Sequence, residues 1–382
     1  MTETRVRADG DARRPTVLVA MSGGVDSAVA AACVRDQGYP LLGVTMKLWD
    51  YAEVGGTPEA RDGRCCSLED MNGARTTAAV LDIPYYVMDM TRAFRETVID
   101  DFVTEYRLGR TPNPCVVCNN RIKWTALYAR ARQVDAPIIA TGHYARIRHN
   151  ENSGRYELWR GVDPTRDQSY VLWGLSQQQL ACTMFPLGSL LKDEVRARAR
   201  ALGLPVADKA ESREICFVTD DNYRRFLRDT LGHHDAATSP GPIVDETGAM
   251  IGTHDGFADF TVGQRRGLGV ARGVPQYVER IDPATRTVHV GPDAALWSRR
   301  TILDQVNWVS IEAPAERLRA TVKVRYLHAA AAADVRPLPG GRVEVTFDEL
   351  QRALTPGQSA VFYDAERVLG GGLIARDAPT GG

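Results

Sequence analysis

The feature that most constrains this chain is the string Ser22-Gly23-Gly24-Val25-Asp26-Ser27, set between an apolar run and a run of small residues. Residues 16–21 read as a buried strand and residues 27–37 as a helix. Two adjacent glycines let the backbone turn tightly enough for its N–H groups to face an anion, and the following helix adds the positive end of its dipole. The hydroxyls of Ser22 and Ser27 can donate to phosphate. Asp26 is out of place there unless a Mg²⁺ ion balances it or it caps the helix. A double glycine alone would be a plain strand-to-helix turn. The full string in strand–loop–helix context points to a nucleotide, and since no Gly-Lys-Ser/Thr follows, it is not a Walker A loop.

The alternation continues. Residues 41–46, 85–90 and 137–140 read as strands, and 69–81, 100–108, 121–132 and 192–202 as helices. Such a pattern implies an α/β domain with a mostly parallel sheet covered on both faces and ligands beyond the carboxyl ends of its strands. From Ser239 the texture changes. Pro240-Gly241-Pro242 opens a region of short alternating runs, at 288–290, 320–326, 342–347 and 359–363, that read as strands of a β-barrel or sandwich. The alanine run at 329–333 reads as a surface turn. A length of 382 residues suits two or three domains. The division expected is an α/β domain over 1–213 with a disordered arm over 1–14, a small central domain over 214–275, and a C-terminal β-barrel over 276–382.

The formal net charge is -1, so attraction of the whole molecule to nucleic acid is not expected and an RNA partner needs a local basic surface. No stretch has the apolar length of a membrane span. The polar arm lacks the apolar core of a secretory signal, so the expected compartment is the cytoplasm, with no membrane partner. Seven cysteines, an odd number in a long chain, argue against a secreted disulfide scaffold and for catalysis or metal.

Two cysteine segments carry chemistry. In Arg110-Thr111-Pro112-Asn113-Pro114-Cys115-Val116-Val117-Cys118-Asn119 the prolines stiffen the loop. The two thiols precede a helix expected to start near Asn119, whose N-terminus would favour thiolate. A metal half-site or a redox dithiol would use the same spacing, but no second C-x-x-C exists to complete a zinc site. In Ser212-Arg213-Glu214-Ile215-Cys216-Phe217, the cysteine between Ile and Phe could be a buried hydrophobe, although Arg213 and Lys209 could lower its pKa. Cys65 and Cys66 are read as structural, and Cys33 and Cys182 as core. Met46, ending the second strand, is placed to contact adenine, and Gly142 to allow close backbone approach; core packing and a turn are the plainer roles for these two.

The phosphate string resembles the PP-loop of the N-type ATP pyrophosphatases, which adenylate a substrate oxygen and release pyrophosphate. Together with Ala140-Thr141-Gly142-His143-Tyr144, Asp167-Gln168-Ser169-Tyr170, Thr261-Val262-Gly263-Gln264-Arg265-Arg266-Gly267-Leu268-Gly269, Val324-Arg325-Tyr326 and Thr355-Pro356-Gly357-Gln358-Ser359-Ala360-Val361, the cysteine segments make the chain similar to the MnmA/TrmU family of tRNA-specific 2-thiouridylases, in the family's order from about Val17 to Ile374. The resemblance implies a PP-loop domain (adenine nucleotide α-hydrolase-like), a small central domain and a C-terminal β-barrel. It implies ATP bound by Ala20, Met21, Ser22, Gly23, Gly24, Val25, Asp26, Ser27, Met46 and Gly142, with Mg²⁺. Cys216 would carry sulfur as a persulfide delivered by a cysteine desulfurase or sulfur-relay protein. Cys118 would be the partner nucleophile, releasing sulfide or closing a disulfide as sulfur transfers. Many family members have Asp, assigned as general acid/base, where this chain has Cys115. A thiol with pKa about 8.5 is a poor copy of a carboxylate at neutral pH. Cys115, Cys118 and Cys216 are also three soft ligands suited to a 4Fe–4S cluster with one open iron, the main rival mechanism.

The substrate implied is the wobble uridine, position 34, of Lys, Glu and Gln tRNAs, turned out of the anticodon loop. Asn113, Pro114 and Cys115 would border the base. Arg166, Asp167, Gln168, His143, Arg325, Tyr326 and Gln358 match further tRNA contacts, with Arg166 where Lys is usual. The clusters Arg196/Arg198/Arg200, Arg224/Arg225/Arg228 and Arg265/Arg266 could form a phosphate-binding surface; the first two read more simply as solvated helix faces. Amidotransferase-type PP-loop ligases need no paired thiols, 4-thiouridine synthases usually add further domains, and a redox-sensing RNA module would leave the PP-loop unexplained.

Overall fold

The computed structural model describes residues 14–50, 68–209, 215–270 and 273–376. The arm before Arg14, Cys65 and Cys66, Ser212 to Glu214 and the tail from Asp377 lie outside the described residues.

A five-stranded parallel sheet, buried at its centre and exposed along its β3 edge, runs in the order β3 (Tyr85–Asp89), β2 (Leu41–Lys47), β1 (Val17–Ala20), β4 (Ile138–Ala140), β7 (Thr183–Met184). Helix α1 (Val25–Asp36) is almost entirely buried against it. Its Ala-Val-Ala-Ala-Ala sequence suits that place, since small side chains let helix and sheet backbones approach closely. Helix α2 (Leu68–Val80) follows the second strand. The carboxyl ends of β1, β2 and β4 line up, with Ala20 opposite Val44 and Val19 opposite Ala140. The expected parallel sheet is borne out, with Tyr86 and Val87 of the edge strand β3 exposed.

The middle region holds a four-stranded sheet ordered β10 (Tyr277–Asp282), β11 (Thr287–Gly291), β8 (Gly241–Val244), β9 (Met250–His254). This sheet crosses residue 275, so the boundary expected there is misplaced. Val288–Val290, read as part of the C-terminal barrel, belongs instead to this central sheet, where β11 pairs parallel with β8. The next sheet starts at Trp297.

The C-terminal barrel runs β12 (Trp297–Asn307), β15 (Val343–Arg352), β14 (Ala331–Pro337), β13 (Leu318–Lys323), β16 (Ser359–Asp364), β17 (Arg367–Ile374) and closes by pairing β12 with β17. Ala333, expected in a surface turn, is fully buried within β14. A hairpin from the first region, β5 (Ala145–Asn150) and β6 (Arg155–Arg160), adds to this barrel by pairing Leu158 with Val368 and Trp159 with Arg367. Trp124, Tyr170 and Trp173 of the first region share one apolar core with Val361, Tyr363 and Val368 of the barrel. The N-terminal domain and the barrel are therefore joined by both sheet and core.

Candidate functional site

Ser22, Gly23 and Gly24 connect β1 to α1, and the turn is held from several directions. Met21 N–H donates to the Val44 carbonyl of β2 at 2.8 Å. Ser22 N–H donates to Ser27 Oγ at 3.0 Å, and Ser27 Oγ donates to the Gly24 carbonyl at 3.0 Å. Gly23 has φ +77°, and a Cβ there would lie 2.1 Å from the Asp70 carbonyl oxygen, so no larger residue fits. On the open side, a Cβ on Gly24 would approach only Ser22 Oγ, at 3.7 Å. The turn thus has a wall against α2 and an open face where a phosphate can approach the N-terminus of a buried helix. Gly142, just past β4, packs on the opposite side, where a Cβ would lie 2.8 Å from Asp26 C and Ser27 N.

Asp26 is not the helix cap. Gly24 occupies that position without a side-chain cap, and Asp26 lies in the first turn. Its carboxylate accepts from Lys192 Nζ at 2.8 and 2.9 Å and from the Tyr144 hydroxyl at 2.7 Å. Lys192 is 8% exposed and Asp26 33% exposed, so a nearly buried ammonium sits beside a carboxylate with an accessible face. That face is where a Mg²⁺ ion accompanying a nucleotide can be met. Lys192 and Tyr144 were missed from the sequence. Lys192 is 166 residues from its partner and carries no local signal. Tyr144 ends the Thr-Gly-His-Tyr string, which marked the place but not the side chain. On the other side of the turn, Lys209 pairs with the buried Asp70, a use different from the expected influence on Cys216.

The cysteine segment begins earlier in its helix than expected. Asn113 is the N-cap, with Oδ1 accepting from Val116 N–H at 3.4 Å, and Pro114 takes the first helical position, where its missing N–H costs nothing. The helix start therefore lies at Pro114 and not near Asn119, because Asn-Pro supplies both cap and first residue. Cys115 occupies the first turn and is exposed, whereas Cys118 is buried. Cys118 opens a π-helical stretch, Cys118–Lys123, that leads into the Trp124–Gln133 helix; such wide turns recur at functional sites.

Cys118 (6% exposed) belongs to an apolar cluster with Leu48, Trp49, Phe94, Phe102 and Phe217, and Cys216 and Met46 pack against the same cluster. The two thiols read as reacting and the methionine read as an adenine contact thus border one apolar cluster, which extends from Leu48 and Trp49 into the central sheet at Val288 and Val290. Met46 lies near the carboxyl end of β2, whose Val44 carbonyl accepts from Met21 N–H just before the Ser22–Ser27 turn. Among the described residues, no group of three His, Cys, Asp or Glu side chains could hold a metal ion. Cys33 is buried in the α1 core, and burial raises the pKa of its thiol and that of half-buried Cys182.

Burial pushes the Tyr326 hydroxyl up, helped by Asp167 and by the Cys115 thiol, against the opposing effect of Arg166. Tyr326 packs at a tilt against Tyr170, with ring centroids 5.9 Å apart, and Lys323 lies 5.4 Å from the Tyr326 ring. Asp167 is buried and accepts from Gly161 N–H, Ser169 N–H and Ser169 Oγ. Gln168 grips Tyr144, donating its N–H to the Tyr144 carbonyl and accepting the Tyr144 N–H at its side-chain oxygen, each at 2.9 Å. Arg325 follows β13, which ends at Lys323, short of the expected strand; its guanidinium donates to the Ala353 carbonyl and Thr355 Oγ1. His143 hydrogen-bonds Thr141 Oγ1 at 2.8 Å and packs against Trp124 and Phe185. Burial pushes its imidazole down to about 3, with Lys123 adding to the effect.

The arginine clusters divide. Arg198, Arg200, Arg225 and Arg228 are paired with Asp36, Asp208, Asp220 and Asp259 respectively, and Arg196 donates to the carbonyls of Ala207 and Lys209. Arg265 and Arg266 are exposed, and Arg265 borders a cavity of about 350 Å³ with Gln276. Among the described residues, no helix is long and apolar enough to cross a membrane.

Comparison with known proteins follows this geometry. Three domain families match in order: a tRNA methyl transferase HUP domain over residues 15–220, a tRNA methyl transferase PRC-barrel domain over 226–292, and an aminomethyltransferase β-barrel domain over 298–374. The chain is 48% identical to the tRNA-specific 2-thiouridylase MnmA of Geotalea uraniireducens over 95% of both chains. It is 45% identical to that of Halothermothrix orenii, over 94% of this chain and 98% of the relative. Against that of Pelotomaculum thermopropionicum the identity is 47%, over 94% of this chain and 96% of the relative.

Proposed function

The chain belongs to the tRNA-specific 2-thiouridylase family, PP-loop enzymes that thiolate a tRNA uridine with ATP, and from that premise we propose how its residues divide the work on the wobble uridine 34 of Lys, Glu and Gln tRNAs. The Ser22–Ser27 turn binds the β- and γ-phosphates, with Gly23 and Gly24 supplying backbone N–H groups and α1 its dipole. Ala20, Met21, Val25, Met46 and Gly142 complete the nucleotide pocket. Lys192 neutralises Asp26 before ATP arrives, and the accessible face of Asp26 is offered to Mg²⁺. The bound ion would supply charge neutralisation for the departing pyrophosphate. The uridine C2 oxygen attacks the α-phosphorus, the bond to pyrophosphate breaks, and C2 gains an adenylate leaving group.

Sulfur then arrives from Cys216, charged as a persulfide by a cysteine desulfurase or relay protein. Its terminal sulfur attacks C2, and AMP leaves with the former C2 oxygen. Cys118 thiolate attacks the Cys216 sulfur, forming a Cys118–Cys216 disulfide, and the remaining sulfur stays on the base as 2-thiouridine. Cys115 has no sulfur step in this route. Exposed in the first turn of its helix, it borders the base with Asn113 and Pro114, while Arg166, Asp167, Gln168, His143, Arg325 and Gln358 shape the RNA surface. What supports the reading is that Cys118 lies in, and Cys216 and Met46 pack against, one apolar cluster, with Met46 on the strand whose Val44 holds Met21 before the Ser22 turn.

The 4Fe–4S route needs Cys115, Cys118 and Cys216 to converge. It is the weaker reading because Cys115 is exposed on the surface whereas Cys118 is in the core. Nucleoside mass spectrometry of tRNA from a deletion strain, complemented with wild type, Cys118→Ser or Cys216→Ser, tests the proposal. Wild type should restore 2-thiouridine and both variants should not, while purified variants keep tRNA-dependent pyrophosphate release. Thiolation by either variant sinks the persulfide route, and iron with acid-labile sulfide in active, anaerobically purified protein would favour the cluster. Formation of 4-thiouridine instead would assign a different product.

A further inference from the structure

Thr111 stands where three domains meet, four residues before Cys115. Its N–H donates to the Pro356 carbonyl at 2.9 Å, its hydroxyl lies 3.3 Å from that of Thr261 in the central region, and its carbonyl accepts from Gln358 Nε2 at 2.8 Å. The same Gln358 amide lies 3.3 Å from the Pro112 carbonyl. Beneath this contact Gly357 has φ +88°, and a Cβ there would fall 3.1 Å from both Arg110 Cβ and the Thr111 oxygen. On the central side, a Cβ on Gly109 would lie 3.0 Å from Ile281 and Pro283. Both β-domains therefore press directly on the backbone leading into the cysteine helix.

The chemistry of the segment explains why a side-chain amide is used. Pro112 and Pro114 have no N–H to donate, so the stretch has few means of holding itself, but its carbonyls remain as acceptors. A carboxamide offers two N–H donors, and Gln358 directs its nitrogen to two successive carbonyls. Asn113, the next residue, is the cap that starts the helix bearing Cys115 and Cys118. Displacing Thr111 and Pro112 would shift that cap and, through it, both thiols.

We infer that Gln358 is a positioning residue for the Cys115–Cys118 segment, so that the C-terminal barrel sets the geometry of the reacting thiol as well as holding RNA. The inference rests on the reading of Cys118 as that thiol. Engagement of tRNA by the barrel would thereby be felt at the cysteine helix through one residue, across 247 positions of sequence.

The test uses full-length Gln358→Leu and Gln358→Glu. The second keeps the shape but sets a carboxylate against two carbonyls, and it remains informative if the first folds poorly. Three quantities are read: tRNA affinity by filter binding, single-turnover thiolation at saturating tRNA and ATP, and the rate of Cys118 alkylation by iodoacetamide without RNA, followed by peptide mass spectrometry. Positioning predicts a thiolation rate lower by about tenfold or more, as misplacement of a reacting group does. Because Gln358 is also placed on the RNA surface, the rate is read at saturating tRNA so that a loss of affinity does not enter it, and Cys118 alkylation without RNA should change by about threefold or more as its burial is disturbed. A tenfold loss of affinity, on the order of 1.4 kcal/mol, with rate and alkylation unchanged would make Gln358 an RNA contact only and overturn the inference. Absence of any change would do the same. Failure of the Cys118 reading itself would appear separately, as thiolation by Cys118→Ser.

Discussion

The Lys192 ammonium lies 2.8 and 2.9 Å from the two carboxylate oxygens of Asp26, so the phosphate turn carries its own neutralising cation. Lys192→Met should leave Asp26 as an uncompensated negative charge facing the incoming triphosphate. The KM for ATP in tRNA-dependent pyrophosphate release is expected to rise by about tenfold or more, one charge pair's worth at intermediate dielectric. Because Asp26 is one-third exposed, the loss of stability should be about 1–2 kcal/mol, less than for a fully buried pair. An unchanged KM would mean that the pair serves folding alone.

Gly23 and Gly142 should tolerate no side chain. Gly23→Ala places a methyl against the Asp70 carbonyl at a left-handed backbone angle, a conformation that costs about 1–2 kcal/mol by itself. Gly142→Ala presses on the first turn of α1 at Asp26 and Ser27. Both variants are expected to lose ATP turnover. Gly23→Ala should also melt several degrees lower, as read by circular dichroism, and full activity in either would contradict the tight fit.

Cys115 separates the two sulfur mechanisms. In the persulfide route Cys115→Asp should keep thiolation and raise its rate at neutral pH, since a carboxylate with pKa about 3.9 is ionised where a thiol near 8.5 is not. Cys115→Ser should lower the rate only modestly. In the cluster route either change removes a ligand and abolishes product. Mass spectrometry of 2-thiouridine formed in vitro decides between them.

The His143 imidazole, packed against Trp124 and Phe185, gives stability a pH dependence of known sign. Its folded pKa, about 3, lies below the unfolded value of about 6.5, so the unfolded chain binds the extra proton between them. This contribution is fully present above pH 6.5 and is lost progressively as pH falls toward 3. By pH 5 the loss amounts to about 2 kcal/mol. In His143→Gln that component should vanish, so the gap between wild-type and variant urea midpoints should shrink as pH falls from 7.5 to 5. A gap independent of pH would show that the ring is already charged in the fold or solvated.

What could be read from the sequence follows the range of the interactions. The phosphate turn was legible because a strand, two glycines and a helix start are specified within a dozen neighbouring residues. The thiols of Cys115 and Cys118 were legible from their spacing, but not the helix start at Pro114, where Asn-Pro was read as loop chemistry and not as a cap. The Lys192–Asp26 and Gln358–Thr111 contacts join positions more than a hundred residues apart, and no local pattern encodes them. The β5–β6 hairpin did have a signal, since alternating residues flank Glu151-Asn152-Ser153-Gly154 and Gly154 has φ +66°. Its pairing partner in the C-terminal barrel did not. The central boundary was misplaced because β10 and β11 are short alternating strands like those of the barrel and differ only in the sheet they join.

The hairpin also bears on how the enzyme can be taken apart. One margin of β17 is shared lengthwise, with β12 covering its far half and β6 its near half. A barrel expressed alone would uncover the backbone groups of Arg367 and Val368 together with the apolar patch that Leu158 seals, an invitation to intermolecular strand addition. The soluble minimal barrel unit should therefore retain residues 145–160.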